Sequence, residues 1–191
     1  AMKDRLRAGS LTIGAQLSLE DSAVVEIFGR AGYDWVIVDA EHGAATPQVM
    51  KSMLQAGQHT DTVVLARAMR LDAELIRLYL DLGSPGVVCP FIENADQAQN
   101  LVDACRYPPS GIRGYGPRRA GAYGFDSDEY YAQANDSMIC IGMIESEAAV
   151  ENVFEITAVE GLDAVLIGPM DLSINLGVFQ QFESDRYVEA E

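Results

Sequence analysis

The stretch Asp34-Trp35-Val36-Ile37-Val38-Asp39-Ala40-Glu41-His42-Gly43 decides the fold. Trp35 to Val38 run without a polar break, and a short continuous apolar run of this kind reads as a strand buried on both faces, which is the habit of parallel sheets. Polar residues crowd immediately behind it. Thr46-Pro47 then reads as a helix cap followed by proline at the first helical position. Val49, Met50, Met53 and Leu54 turn one apolar face inward before Gly57 ends the helix. The segment is therefore a strand–loop–helix unit with its reactive side chains gathered at the strand's carboxyl end.

The same unit recurs in both directions. Val63 to Ala66, Gly86 to Cys89, Ile139 to Ile144 and Ala164 to Ile167 are further buried strands, and Leu11 to Leu17 is a weaker first one. Helical periods separate them: Val24, Val25, Ile27, Phe28 and Ala31 after Asp21 or Ser22; Leu75, Ile76, Tyr79 and Leu80 up to Gly83; Ala98, Leu101, Val102 and Cys105 behind an Asn94/Gln97 capping box; Val150, Val153, Phe154 and Ile156 behind Ser146. Strands alternating with helices predict a parallel sheet. The fold class expected is α/β, a (β/α)8 barrel of which about six strand–helix units are visible, as one domain over 1–191. Between the strands near 86 and 139 lies a Pro-, Gly-, Arg- and Tyr-rich stretch, 107–124, read as a long ordered loop near the site.

Composition narrows the function. Thirteen basic against 29 acidic residues give a net charge of −16. Such a surface repels phosphate backbones, so no nucleic-acid partner is expected. There is neither a long apolar run nor a polybasic segment to engage a membrane. Cys89, Cys105 and Cys140 lie in apolar stretches without metal-type spacing and read as small buried hydrophobes of a protein in a reducing cytoplasm.

In a parallel barrel all carboxyl strand ends open on one face. Asp39, Glu41 and His42, then Arg67, Glu145, and Gly168-Pro169-Met170-Asp171 each follow a strand, so they are expected to converge. Glu145 and Asp171, with no nearby histidine or cysteine, suit a hard divalent cation held partly by water. The alternative is a solvated strand-end carboxylate and a helix-capping aspartate. His42 suits proton transfer, with Asp39 as the candidate carboxylate orienting it. Arg67 ends an almost wholly apolar strand and requires an anion, whether substrate or structural salt bridge. His59 reads as a loop residue. Only Lys3 and Lys51 exist, neither at a strand end, which disfavours a Schiff-base mechanism.

Four segments carry a resemblance: 34–43, 106–114 (Arg-Tyr-Pro-Pro-Ser-Gly-Ile-Arg-Gly), Met143-Ile144-Glu145-Ser146 and Ile167-Gly168-Pro169-Met170-Asp171-Leu172-Ser173. Together they resemble the class II pyruvate aldolases of the HpcH/HpaI type, which include 4-hydroxy-2-oxoheptanedioate and 2-dehydro-3-deoxyglucarate aldolases. The resemblance implies reversible retro-aldol cleavage of a 4-hydroxy-2-oxo acid to pyruvate, or a related 2-oxo acid, and an aldehyde through a metal-bound enolate. It implies Glu145 and Asp171 as ligands of Mg²⁺, Mn²⁺ or Co²⁺, and Gly168 to Asp171 as the substrate-carboxylate turn. Arg67 would stabilise the enolate oxygen and His42 would act as acid/base. Asp81 would reach the site of a neighbouring subunit in a homo-oligomer, a hexamer by resemblance. Met143 stands where many relatives carry glutamine, and the eight-strand barrel of about 250 residues exceeds the six units read here. Two other readings are a citryl- or malyl-coenzyme A lyase-like enzyme, with Arg113, Arg118 and Arg119 as its only basic cluster, and a catalytically incomplete barrel acting as an assembly subunit.

Overall fold

Side-chain alternation along the strands sets the architecture. In the computed structural model, which describes residues 2–191, all six strands pair in parallel and in sequence order: β1 (Gly14–Leu17), β2 (Trp35–Asp39), β3 (Val63–Arg67), β4 (Gly86–Cys89), β5 (Ile139–Ile144) and β6 (Ala164–Ile167). Trp35, Ile37 and Asp39 share one face of β2, while Val36 and Val38 take the other. Register carries that division across the sheet, with Ile37 beside Leu65 and Asp39 beside Arg67.

Two apolar layers result. Ile37, Leu65, Val88, Ile139 and Met143 pack on the concave face. Val36, Val38, Val64, Ala66, Val87, Cys89 and Cys140 pack on the convex face, under helices α2 (Ser22–Arg30), α3 (Pro47–Gly57), α4 (Ala73–Asp81) and α5 (Ala95–Cys105). The sheet is thus a curled half-barrel. All three cysteines are free and buried, as expected.

Helix starts follow the predicted caps. Asp21, Thr46, Asn94 and Ser146 each accept from a backbone N–H in the first turn. The capping box at Asn94 is shifted by one residue, because Gln97 Oε1 takes the N–H of Glu93 rather than that of Asn94. The helix after Ser146 is broken at Asn152 into α7 (Glu147–Glu151) and α8 (Val153–Thr157). Asn152 Nδ2 donates to Glu93 O at that break.

The elements depart from expectation at four points. The first strand begins only at Gly14; Leu11 and Ile13 are exposed, since at an edge they have one neighbour at most. An unforeseen helix, α1 (Met2–Arg7), places Met2 and Leu6 against the concave cluster. Its buried Lys3 pairs with Asp163 at 3.2 Å, just before β6. α1 therefore lies at the amino ends of the strands.

The 107–124 stretch is ordered, but it does not approach the carboxyl strand ends. Arg113 donates to Asp81 Oδ1 at 2.7 Å and Arg119 to Leu82 O at 2.7 Å. These residues terminate α4, a helix that begins beyond the carboxyl end of β3 and returns to the strand starts. The stretch ends in a short 3-10 turn, Ala122–Gly124, and the unpredicted α6 (Ser127–Ser137) follows. α6 carries little apolar periodicity, which is why pattern reading passed over it. After β6 come α9 (Pro169–Asn175) and α10 (Asp185–Ala190). Among the described residues no helix is long and apolar enough to cross a membrane.

Candidate active site

Asp39 and Arg67 are register partners at the ends of β2 and β3, on the concave face. Arg67 is buried and pairs with Asp39 Oδ2 at 3.1 Å and with Glu41 Oε2 through its other terminal nitrogen. Glu145, fully buried at the end of β5, lies 3.9 Å from Arg67 Nη2. A buried guanidinium is tolerable here because carboxylates surround it.

Asp39 organises the turn behind β2. Its Oδ1 accepts the N–H groups of Glu41 and His42 at 2.9 and 3.0 Å, and its Oδ2 also accepts from Gln16 at 2.7 Å. Burial pushes the Asp39 carboxyl up, but the His42 N–H, Gln16, Arg67 and the Glu41 N–H outweigh it and hold the group below its usual range. The expectation that Asp39 orients the His42 imidazole is corrected, since its contacts with His42 run to the backbone. The imidazole instead faces Glu41, with Nε2 3.8 Å from Oε2.

Glu145 is set up asymmetrically. Oε1 accepts the Phe91 N–H at 2.8 Å, while Oε2 is buried without a hydrogen-bond partner. Phe91 adopts a φ of +51°, a costly value for a bulky residue. Burial raises the Glu145 carboxyl, opposed by the Phe91 N–H and Arg67 and reinforced by Asp171 and Glu41. Glu41 is likewise raised, first by burial, and the negative charges of Asp39 and Asp171 add to it.

Gly168 lies against Glu145; a Cβ there would fall 2.9 Å from Glu145 Cβ and nearer still to Oε2. It leads into α9, whose first turn holds Pro169, Met170 and the half-buried Asp171. Asn175 Nδ2 bridges the Glu145 and Asp171 carbonyls at 3.2 and 3.0 Å, tying the two segments together.

The donor set fits a hard cation. Glu145 Oε2 is a buried oxygen that no N–H completes, and two further carboxylates raise the cost of its charge. Among the described residues no three His, Cys, Asp or Glu side chains close into a full ligand set. A cation here would rest on Glu145 and Asp171 with water in its other positions.

The structure thus joins Asp39, Arg67 and Glu145 by direct contact. His42 is reached through Glu41, and Asp171 through its field at Glu41 and Glu145. It does not bring Asp81 to this group, because Asp81 is held by Arg113 at the returning end of α4. Met143 packs with Ile37, Leu65, Val88 and Ile139 on the concave face. Of the basic cluster, Arg113 is buried and Arg119 engaged, which leaves Arg118 exposed. Sequence reading assigned no role to Gln16, Glu41, Phe91 or Asn175. Glu41 had a signal in its place within the post-strand cluster, and Gln16 as the polar member of a strand; Phe91 acts through its backbone and had none.

The chain is similar to known proteins along nearly its whole length. A curated relative, 2-keto-3-deoxy-L-rhamnonate aldolase of Escherichia coli O17:K52:H18, is 41% identical over 177 residues, covering 92% of this chain and 66% of its own length. The chain therefore spans just under two thirds of that relative. A solved HpcH/HpaI aldolase/citrate lyase family protein from Burkholderia cenocepacia J2315 superposes with a TM-score of 0.94 at 31% identity, over 99% of this chain and 76% of that one. An HpcH/HpaI aldolase from Desulfitobacterium hafniense DCB-2 gives 0.90 at 32%, over 99% and 74%. The profile of HpcH/HpaI aldolase/citrate lyase matches residues 13–191, and the chain belongs to that family.

Proposed function

We propose that the chain carries the active site of a divalent-metal aldolase that cleaves a 4-hydroxy-2-oxo acid reversibly to pyruvate, or a related 2-oxo acid, and an aldehyde. The observation that carries this reading is the buried Glu145 Oε2, left without a hydrogen-bond donor beside Arg67 and within the field of Asp171. The 2-keto-3-deoxy acid in the relative's name belongs to the same substrate class.

Glu145 and Asp171 hold the cation, which when bound supplies Lewis-acid polarisation of the substrate's 2-oxo group. The turn from Gly168 to Asp171 receives the substrate carboxylate. Arg67 faces the C2 oxygen and stabilises negative charge as it develops there. His42 accepts the proton of the C4 hydroxyl. The C3–C4 bond then breaks, its electron pair passes into the C2–C3 bond as the enolate forms, and the aldehyde leaves. The proton taken up by His42 returns to C3, which completes pyruvate and restores the neutral imidazole. Asp39 acts on this chemistry indirectly, by holding Arg67 and the backbone of the His42 turn.

The reading extends to the whole protein as a single eight-unit barrel in the cytoplasm, assembled as a homo-oligomer in which Asp81 serves a neighbouring site. The two unpaired edges of the curled sheet and the greater length of the relatives support closure by further units. The direct test is a retro-aldol assay with and without chelator. EDTA is expected to abolish cleavage and Mn²⁺ or Mg²⁺ to restore it; activity indifferent to both refutes the mechanism.

A further inference from the structure

Asp39 has no lone pair left for an imidazole. A carboxylate offers about four acceptor directions, and Glu41 N, His42 N, Gln16 Nε2 and Arg67 Nη1 occupy them. Glu41 is differently placed. Its Oε2 lies within ion-pair reach of Arg67 Nη2, off the direction of that group's N–H bonds, and 3.8 Å from His42 Nε2. The Glu41 side chain is 12% exposed and the imidazole 62%. A single buried oxygen therefore stands between the guanidinium and the imidazole, and consecutive residues meet there because Asp39 folds the turn beneath them.

We propose that Glu41 is a positioning residue that serves His42 and Arg67 together. It draws the His42 Nε2–H toward itself, which leaves Nδ1 as the nitrogen that exchanges a proton with substrate. It stabilises the imidazolium formed when that proton arrives, and it fixes the plane of Arg67 at the same time. A contact of this length shortens when substrate excludes water, as catalytic hydrogen bonds commonly do. The proposal rests on the aldolase reading only for the identity of the proton moved.

Three variants and two readouts test it. In Glu41→Ala and Glu41→Gln, kcat for retro-aldol cleavage is expected to fall about 10- to 100-fold while KM for the 2-oxo acid changes less than about threefold; Glu41→Asp recovers part of the loss. Long-range ¹H–¹⁵N spectra of the metal-free chain report which ring nitrogen is protonated. Assignment is simple, because the chain has two histidines and His59→Gln removes the other. Nε2 is expected to carry the proton alone in the parent chain and to share it with Nδ1 in Glu41→Ala. A raised KM with unchanged kcat, or an unaltered tautomer in Glu41→Ala, overturns the proposal. If the parent chain cleaves no 4-hydroxy-2-oxo acid while the tautomer shifts as expected, the aldolase reading fails and the placement of Glu41 stands.

Discussion

Gly168 shows how one missing Cβ shapes the site. Its φ is −94°, so its need for glycine is steric rather than conformational. In Gly168→Ala the new methyl must displace Glu145, whose Cβ lies 2.9 Å from where it would sit. Overpacking of this kind costs about 1–3 kcal/mol. The expected result is a lower thermal midpoint together with Mn²⁺ affinity reduced at least about 10-fold, read by calorimetry. Asp39 contributes to acid stability. Its folded-state pKa is depressed below the ordinary value of 3.8. Its contribution to stability is therefore complete above that value and is lost as pH falls through the lower folded-state pKa. Asp39→Asn is expected to flatten the acid limb of the stability curve below about pH 4, and to lower stability at neutral pH by up to about 3 kcal/mol, as measured by urea unfolding. Sequence reading found Asp39, Arg67 and Glu145 because each follows an apolar run. It misassigned the partner of His42, because one-dimensional proximity cannot say that Asp39 spends both oxygens on backbone, Gln16 and Arg67.

At the scale of elements, α4 and the stretch that crosses its end behave as one unit. The Arg113 side chain is fully buried; it donates to Asp81 at 2.7 Å and to the Tyr130 hydroxyl at 2.9 Å, and its guanidinium carbon lies 4.5 Å from the Tyr107 ring centre. Removing one partner of a buried pair strands the other. Arg113→Ala is expected to lose roughly 3–5 kcal/mol in denaturant unfolding. Arg113→Lys should recover little of it, because an ammonium can neither stack on Tyr107 nor reach both acceptors. The strands themselves were legible nearly to the residue, since buried parallel strands leave unbroken apolar runs. α6 and α1 were not, because their amphipathic signal is weak and their places are set by contacts with distant segments, such as Lys3 with Asp163 and Met138.

Across residues 2–191 as a whole, β1 and β6 are the open edges of the sheet. Val165 and Ile167 stay partly exposed on the outer face of β6, although the same face of the central strands is covered by helices. Exposed apolar strand edges promote association. Val165→Lys is expected to reduce light scattering by this chain at high concentration while shifting stability by no more than about 0.5 kcal/mol. Sequence alone determined the parallel β/α order, the helix caps and the set of polar residues at the strand ends, because burial and capping are local demands that each segment meets with its own residues. Only the tertiary structure decided that Asp81 pairs with Arg113, that Glu41 stands between Arg67 and His42, and that Phe91 holds Glu145. Those pairings depend on register, sheet curvature and a strained backbone turn, which join residues up to 54 positions apart and leave no periodic trace in the chain.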